Sequence, residues 1–81
     1  MEEALQDWIV GQILLERERQ DRKWGVQRHP HCVWSAVLSE ECGEVSKACL
    51  EEDYENLKEE LNQVAAVCIA WLEHLHEHEK V

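Results

Sequence analysis

A chain of 81 residues holds one domain, 1–81, with a thin core. A core of this size supplies only roughly 3–5 kcal/mol unless a disulfide, a metal or a second subunit adds to it. Charged residues make up 32% and apolar ones 44%, which argues for a folded soluble protein and against a disordered tail. The net charge of −10 repels polyanions and so argues against a nucleic-acid duplex as partner. A small phosphate ester remains compatible with it, provided metal cations stand between ester and protein.

Three glycines, one proline and no phenylalanine leave few breakers, and the pattern predicts an all-α fold of three helices. The first runs from about Glu3 to Asp21, with Leu5, Trp8, Ile9, Ile13 and Leu15 on one face. The stretch KWGVQRHPH interrupts it through Gly25 and Pro30, and His29, preceding a proline, is biased away from helix. The second helix runs from about Cys32 to Glu51. The third starts near Asp53, a plausible N-cap, and continues to about His76 with a stripe of Leu57, Leu61, Val64, Ala65, Cys68, Trp71, Leu72 and Leu75. Three amphipathic helices in so short a chain leave wide apolar faces, and a homodimer or homotetramer forming a helical bundle would cover them.

No stretch resembles a signal peptide, and WIVGQILLE is far shorter than the ~20 apolar residues of a membrane span. Cys32, Cys42, Cys49 and Cys68 form no CxxC pair. Three lie on apolar helical faces, so they read as reduced core thiols of a cytoplasmic protein, ahead of a disulfide or zinc site.

The second helix carries an anomaly. At about 100° per residue, Trp34, Val37, Leu38, Val45, Ala48 and Cys49 gather on one side. Glu41 falls near the middle of that arc and Glu44 on its edge. The third helix repeats the pattern: Glu60 sits inside the arc beside Leu57, Val64, Val67 and Trp71, with Gln63 on the flank. A buried carboxylate without a partner is costly. The i, i+3 spacing points both members of each pair the same way. Antiparallel packing would therefore bring three carboxylates and one amide oxygen together, a hard-oxygen set that suits Mg²⁺ or Mn²⁺. Glu40, Glu51, Glu52, Glu55 and Glu59 fall outside the arcs and read as solvated faces.

EECGE followed by EELNQV resembles the metal-binding signature of the MazG-like, all-α nucleoside triphosphate pyrophosphohydrolases, EExxE, a spacer, then ExxD. The likeness covers most of the chain. ERERQDRKWGVQRHPHCVW resembles the segment before that motif, and LNQVAAVCIAWLEHL the helix after it. The resemblance implies a helical bundle assembled as dimers or tetramers. It also implies Mg²⁺-dependent hydrolysis of a nucleoside triphosphate to the monophosphate and pyrophosphate, serving nucleotide-pool housekeeping. Glu41, Glu44 and Glu60 would be metal ligands, and Gln63 stands where the family pattern has Asp. Gln63 can ligate only through its carbonyl oxygen and brings no charge.

Around this set, Glu40 is placed to position water, and Lys47, one turn beyond Glu44, to reach a phosphate, as are Lys23, Arg28 and Lys58. Trp24 and His29 offer a stacking plane and a hydrogen bond to a base, as matching loop residues do in relatives. Trp71 is a further aromatic candidate for substrate, although it and Trp34 lie on the seam and read as core ahead of a base platform. In the tail EHLHEHEKV, His74 and His78 share a face at the spacing of a transition-metal pair, against the alternative of a polar, frayed helix end. Two other functional readings stand beside the enzyme. One is a MazG-fold protein that binds nucleotide or metal with little turnover because of Gln63; the other is a plain helical interaction module.

Overall fold

The computed structural model describes residues 2–79, with side chains described through Glu77. The described residues form three helices: α1 at Glu2–Trp24, α2 at His31–Leu50 and α3 at Tyr54–Glu79. The all-helical expectation is met, and each boundary lies within a few residues of the one read from the sequence. No helix among the described residues is long and apolar enough to cross a membrane.

The helix ends follow from local chemistry. Gly25 has φ 74° and its N–H reaches Asp21 O at 2.8 Å, a left-handed C-terminal cap that glycine adopts without steric cost. That cap carries α1 past Asp21 to Trp24. The α2–α3 turn is built on the same principle with a costlier residue. Glu52 N–H donates to Cys49 O at 3.2 Å and Asp53 N–H to Ala48 O at 3.0 Å, the paired bonds of a Schellman cap. Its left-handed position is held by Glu52, φ 54°. Asp53 then caps α3 as expected, its Oδ1 accepting from Asn56 N–H at 3.2 Å.

This tight turn makes α2 and α3 antiparallel neighbours. α3 is the central element: it packs on α2 and on α1, whereas among the described residues α1 and α2 make no close backbone approach. The core is Trp34, Val67 and Ala70, with Val37, Leu38 and Trp71 packed against it. Trp34 is 3% exposed. Its indole N–H donates to His74 Nδ1 at 2.8 Å, and one turn back along the pair Trp71 N–H donates to His31 Nδ1 at 2.9 Å. An indole nitrogen only donates, so both imidazoles accept at Nδ1. The two indoles stack at 6.4 Å between centroids.

Three expectations are corrected here. His74 is not part of a frayed polar end; it is buried because Trp34 supplies its hydrogen bond. The side chain of His78 lies outside the described residues, so the His74–His78 pair has no structural account. The second correction concerns α3, whose buried line is Ala66, Val67, Ala70 and His74. The stripe read from the sequence lies roughly 140° round the helix, with Leu61 and Leu72 exposed and its other members half-buried. Larger side chains made the stripe conspicuous, whereas contact with α2 selected the smaller residues. Third, the cysteines are free thiols, but Cys32, Cys42 and Cys49 are exposed and only Cys68 is half-buried.

No residue of α1 is buried. Leu5, Trp8, Ile9 and Leu15 of its expected apolar face are all exposed. The accessible surface is 6124 Å², against about 5,100 Å² for a compact monomer of this mass by the usual area–mass relation. Uncovered apolar helix faces account for part of that excess.

The cap at Glu52 gives a direct test. Glu52→Gly removes the left-handed Cβ penalty and should stabilise the protein by about 1 kcal/mol, read as a raised urea midpoint with unchanged slope. A fall in the midpoint would show that the Glu52 side chain contributes more than its backbone costs.

Candidate metal and nucleotide site

Antiparallel packing of α2 on α3 brings the two anomalous glutamates together. Glu41 is half-buried on α2, Glu60 half-buried on α3, and Glu44 is exposed one turn along α2. Burial raises the Glu41 carboxyl above its usual range, and the negative charges of Glu60, Glu44, Glu40 and Glu16 raise it further. Glu60 is raised in the same way, first by burial and then by Glu44, Glu59 and Glu16. Among the described residues no lysine or arginine forms an ion pair with Glu41, Glu44 or Glu60. The site is therefore an uncompensated negative focus set in an apolar seam.

Gln63 lies between the two helices' carboxylates. Toward two ionised carboxylates its amide sets the NH₂ inward, since the opposite orientation places oxygen against oxygen. So oriented, its nitrogen donates to Glu41 Oε2 at 2.8 Å and to Glu60 Oε2 at 3.2 Å. Gln63 facing a metal through its amide oxygen, as the sequence reading has it, requires the opposite orientation of the amide.

A cleft of about 400 Å³ opens beside this group. Its floor is apolar, with Val33, Trp34, Val37, Val67 and Ala70. Glu40, Glu41 and Gln63 stand on its wall, and Trp24, Gln27 and His29 of the α1–α2 connection also line it. Trp24 is 53% exposed, with Lys23 Nζ 4.7 Å above its ring. His29 bonds to Gln27 Oε1 at 3.0 Å and meets the edge of Trp34 at 5.0 Å. The cleft thus combines a polarisable aromatic plane, an imidazole and the carboxylates of Asp21, Glu40 and Glu41. Lys47 and Trp71 do not line it: Lys47 is exposed on α2, and Trp71 is engaged with His31.

A further wall comes from α1. Arg17, Arg19, Gln20 and Asp21 face the cleft. Arg17 is tied to Asp21 and bonds Glu73 of α3 through Nη2 at 2.6 Å. Arg19 forks onto Glu16 at 2.9 and 2.8 Å. The cations singled out in the sequence are placed elsewhere. Arg28 forks onto Glu77 at 2.8 and 2.5 Å, and Lys58 pairs with Glu55 at 3.3 Å. Within ERERQDR every residue is polar, so no hydrophobic period reveals which arginines turn inward. The available signal was the i, i+3 and i, i+4 charge pairing itself.

Among the described residues no three Asp, Glu, His or Cys side chains form a ready metal cage. That arrangement does not suit zinc or calcium, which need three or more protein ligands. It is compatible with Mg²⁺, which keeps several waters and takes one or two carboxylates together with substrate phosphates. In comparisons with known proteins, no family model, no curated protein and no solved structure matches the chain.

The raised carboxyl groups fix a pH dependence. Because Glu41 and Glu60 hold protons more tightly folded than unfolded, their contribution favours the folded state below the ordinary carboxylate range. It is lost as pH rises through their raised values. In chelator, Glu41→Gln should therefore be more stabilising, relative to wild type, at neutral pH than at mildly acidic pH. An equal effect at both would mean that the Glu41 carboxyl is not raised in the folded protein.

Proposed function

We propose that this protein is a MazG-like nucleoside triphosphate pyrophosphohydrolase that works with Mg²⁺ and releases a nucleoside monophosphate and pyrophosphate. One observation carries the reading. Half-buried Glu41, which lines the cleft that also holds Trp24 and His29, is set near half-buried Glu60 of the antiparallel helix, and neither pairs with any described lysine or arginine. The spacing of EECGE and EELNQV and the all-helical architecture agree with it.

Glu41, Glu44 and Glu60 would hold the cation, and Mn²⁺ suits the same oxygens. When bound, Mg²⁺ supplies an activated water and offsets charge on the phosphates and the leaving pyrophosphate. Trp24 offers the base a stacking plane, and His29, steadied by Gln27, offers a hydrogen bond at its edge. Arg17 and Arg19 stand on the α1 wall and, on exchanging their carboxylate partners Asp21, Glu73 and Glu16, would meet a polyphosphate, a role the sequence reading had given to Lys47. Glu40, also on the wall, is placed to orient water. The apolar floor excludes water from the base end of the cleft.

The protein is proposed to act as a homodimer or homotetramer in the cytoplasm. The surface excess of about 1,000 Å² over a compact monomer is of the size a standard interface buries on each partner, about 800 Å². The uncovered stripe of α3 and the face of α1 carry the apolar side chains such an interface needs.

A second reading is favoured by Gln63. With its amide donated to Glu41 and Glu60, the site has one carboxylate fewer than the family pattern and an internal occupant. A nucleotide-binding protein with little turnover fits that arrangement.

Two measurements test these proposals. A panel of ribo- and deoxyribonucleoside triphosphates should give Mg²⁺-dependent pyrophosphate release, lowered at least about 100-fold by Glu41→Gln or Glu60→Gln. Nucleotide binding without release would favour the second reading, and neither would remove both. Sedimentation at low micromolar concentration should show a dimer or tetramer, whereas a compact, cooperatively folded monomer would contradict the assembly.

A further inference from the structure

We infer that Gln63 is an internal counter-group for the ion-free site. Its amide NH₂ clamps Glu41 to Glu60, and a divalent cation must displace it to bind. This rests on the metal reading of the site proposed above, but it makes a separate claim about the protein without metal.

Two carboxylates drawn together in an apolar seam repel each other and resist ionisation. The direct remedy is a cation, and no described lysine or arginine supplies one. The Gln63 amide offers two N–H donors on one nitrogen, and the two acceptors stand at 2.8 and 3.2 Å, one on each helix. Hydrogen bonds to charged acceptors are stronger than neutral ones. One amide therefore satisfies both carboxylates and joins α2 to α3. Glu41 still has its carboxyl raised, so the clamp eases the repulsion without abolishing it.

An aspartate at position 63 could not act in this way. It would add a third negative charge to Glu41 and Glu60, and an ion-free protein would need a cation to hold the seam closed. Glutamine reverses the dependence: the seam closes without metal, and the cation competes with the amide. The departure at Gln63 from the pattern the chain resembles is then a device that lets the protein stand empty. Its cost is weaker affinity for free Mg²⁺, because two charge-assisted hydrogen bonds must break or the amide must rotate its oxygen inward.

Gln63→Met tests the inference, since it keeps the length of the side chain and removes both donors. Wild type, Gln63→Met, Glu41→Gln and the double variant are melted in chelator and in millimolar Mg²⁺. In chelator Gln63→Met should melt below wild type, and that deficit should disappear in the Glu41→Gln background, where the repulsion is gone. The Mg²⁺ concentration giving half of the melting shift should fall roughly tenfold in Gln63→Met, the factor equivalent to one charge-assisted hydrogen bond of about 1.4 kcal/mol. A higher half-saturating concentration, or no deficit in chelator, would overturn the clamp. If no protein responds to Mg²⁺, the metal reading fails while the chelator comparison still decides the clamp. Should Gln63→Met not fold, the side-chain amide NMR signal of wild-type Gln63 serves instead. It should be hydrogen-bonded in chelator and move on adding Mg²⁺; a solvent-like signal in chelator would overturn the inference.

Discussion

Glu41 and Glu60 meet across an apolar seam, and no described lysine or arginine pairs with either. Burial first and neighbouring carboxylates second raise both carboxyl groups, and the Gln63 amide, with its nitrogen inward, reaches both. The packing that creates the strain also forms the core. The helix pair that joins Trp34 to His74 and Trp71 to His31 fixes the register at which residues 41 and 60 meet. The tight cap at Glu52 fixes the antiparallel arrangement that allows them to meet at all.

The cleft is the second consequence of that packing. α3 carries α2 on one side and α1 on another, and α1 and α2 do not close over it. The gap between them has an apolar floor and polar walls. α1 buries none of its residues, and the Arg17–Glu73 pair joins it to α3, with the Arg28–Glu77 pair tying the following loop to the same helix. Exposed and partly exposed ion pairs contribute little net stability. In the proposed assembly a second subunit would supply much of the support for an α1 wall held in this way, which links that assembly to the proposed site.

Much of this was legible in the sequence. Gly25 and Asp53 placed helix boundaries correctly because a left-handed cap and an N-cap are local chemistry. Glu41 and Glu60 stood out because a charge inside an apolar arc violates the helical period, and the period survives into the fold. The burial of α3 was not legible in the same way. Its large residues advertise one face, while contact with α2 chose Val67, Ala70 and His74; the visible stripe was left exposed or half-buried. His74 looked like part of a polar tail because its indole partner lies 40 positions away in sequence. Arg17 and Arg19 were hidden for the opposite reason: in a run where every residue is charged or polar, the period carries no information about which side turns inward. The direction of the Gln63 amide was likewise out of reach, since it depends on where two carboxylates meet in space.

The most direct measurement is a crystal structure grown with Mn²⁺ and a non-hydrolysable nucleoside triphosphate, with the cation located by its anomalous scattering. The account predicts manganese bound to oxygens of Glu41, Glu44 or Glu60 and to the phosphates. The base should lie against Trp24, and the Gln63 nitrogen should no longer bridge the two helices. Manganese bound elsewhere, or an unchanged Gln63 clamp with nucleotide absent from the cleft, would contradict it.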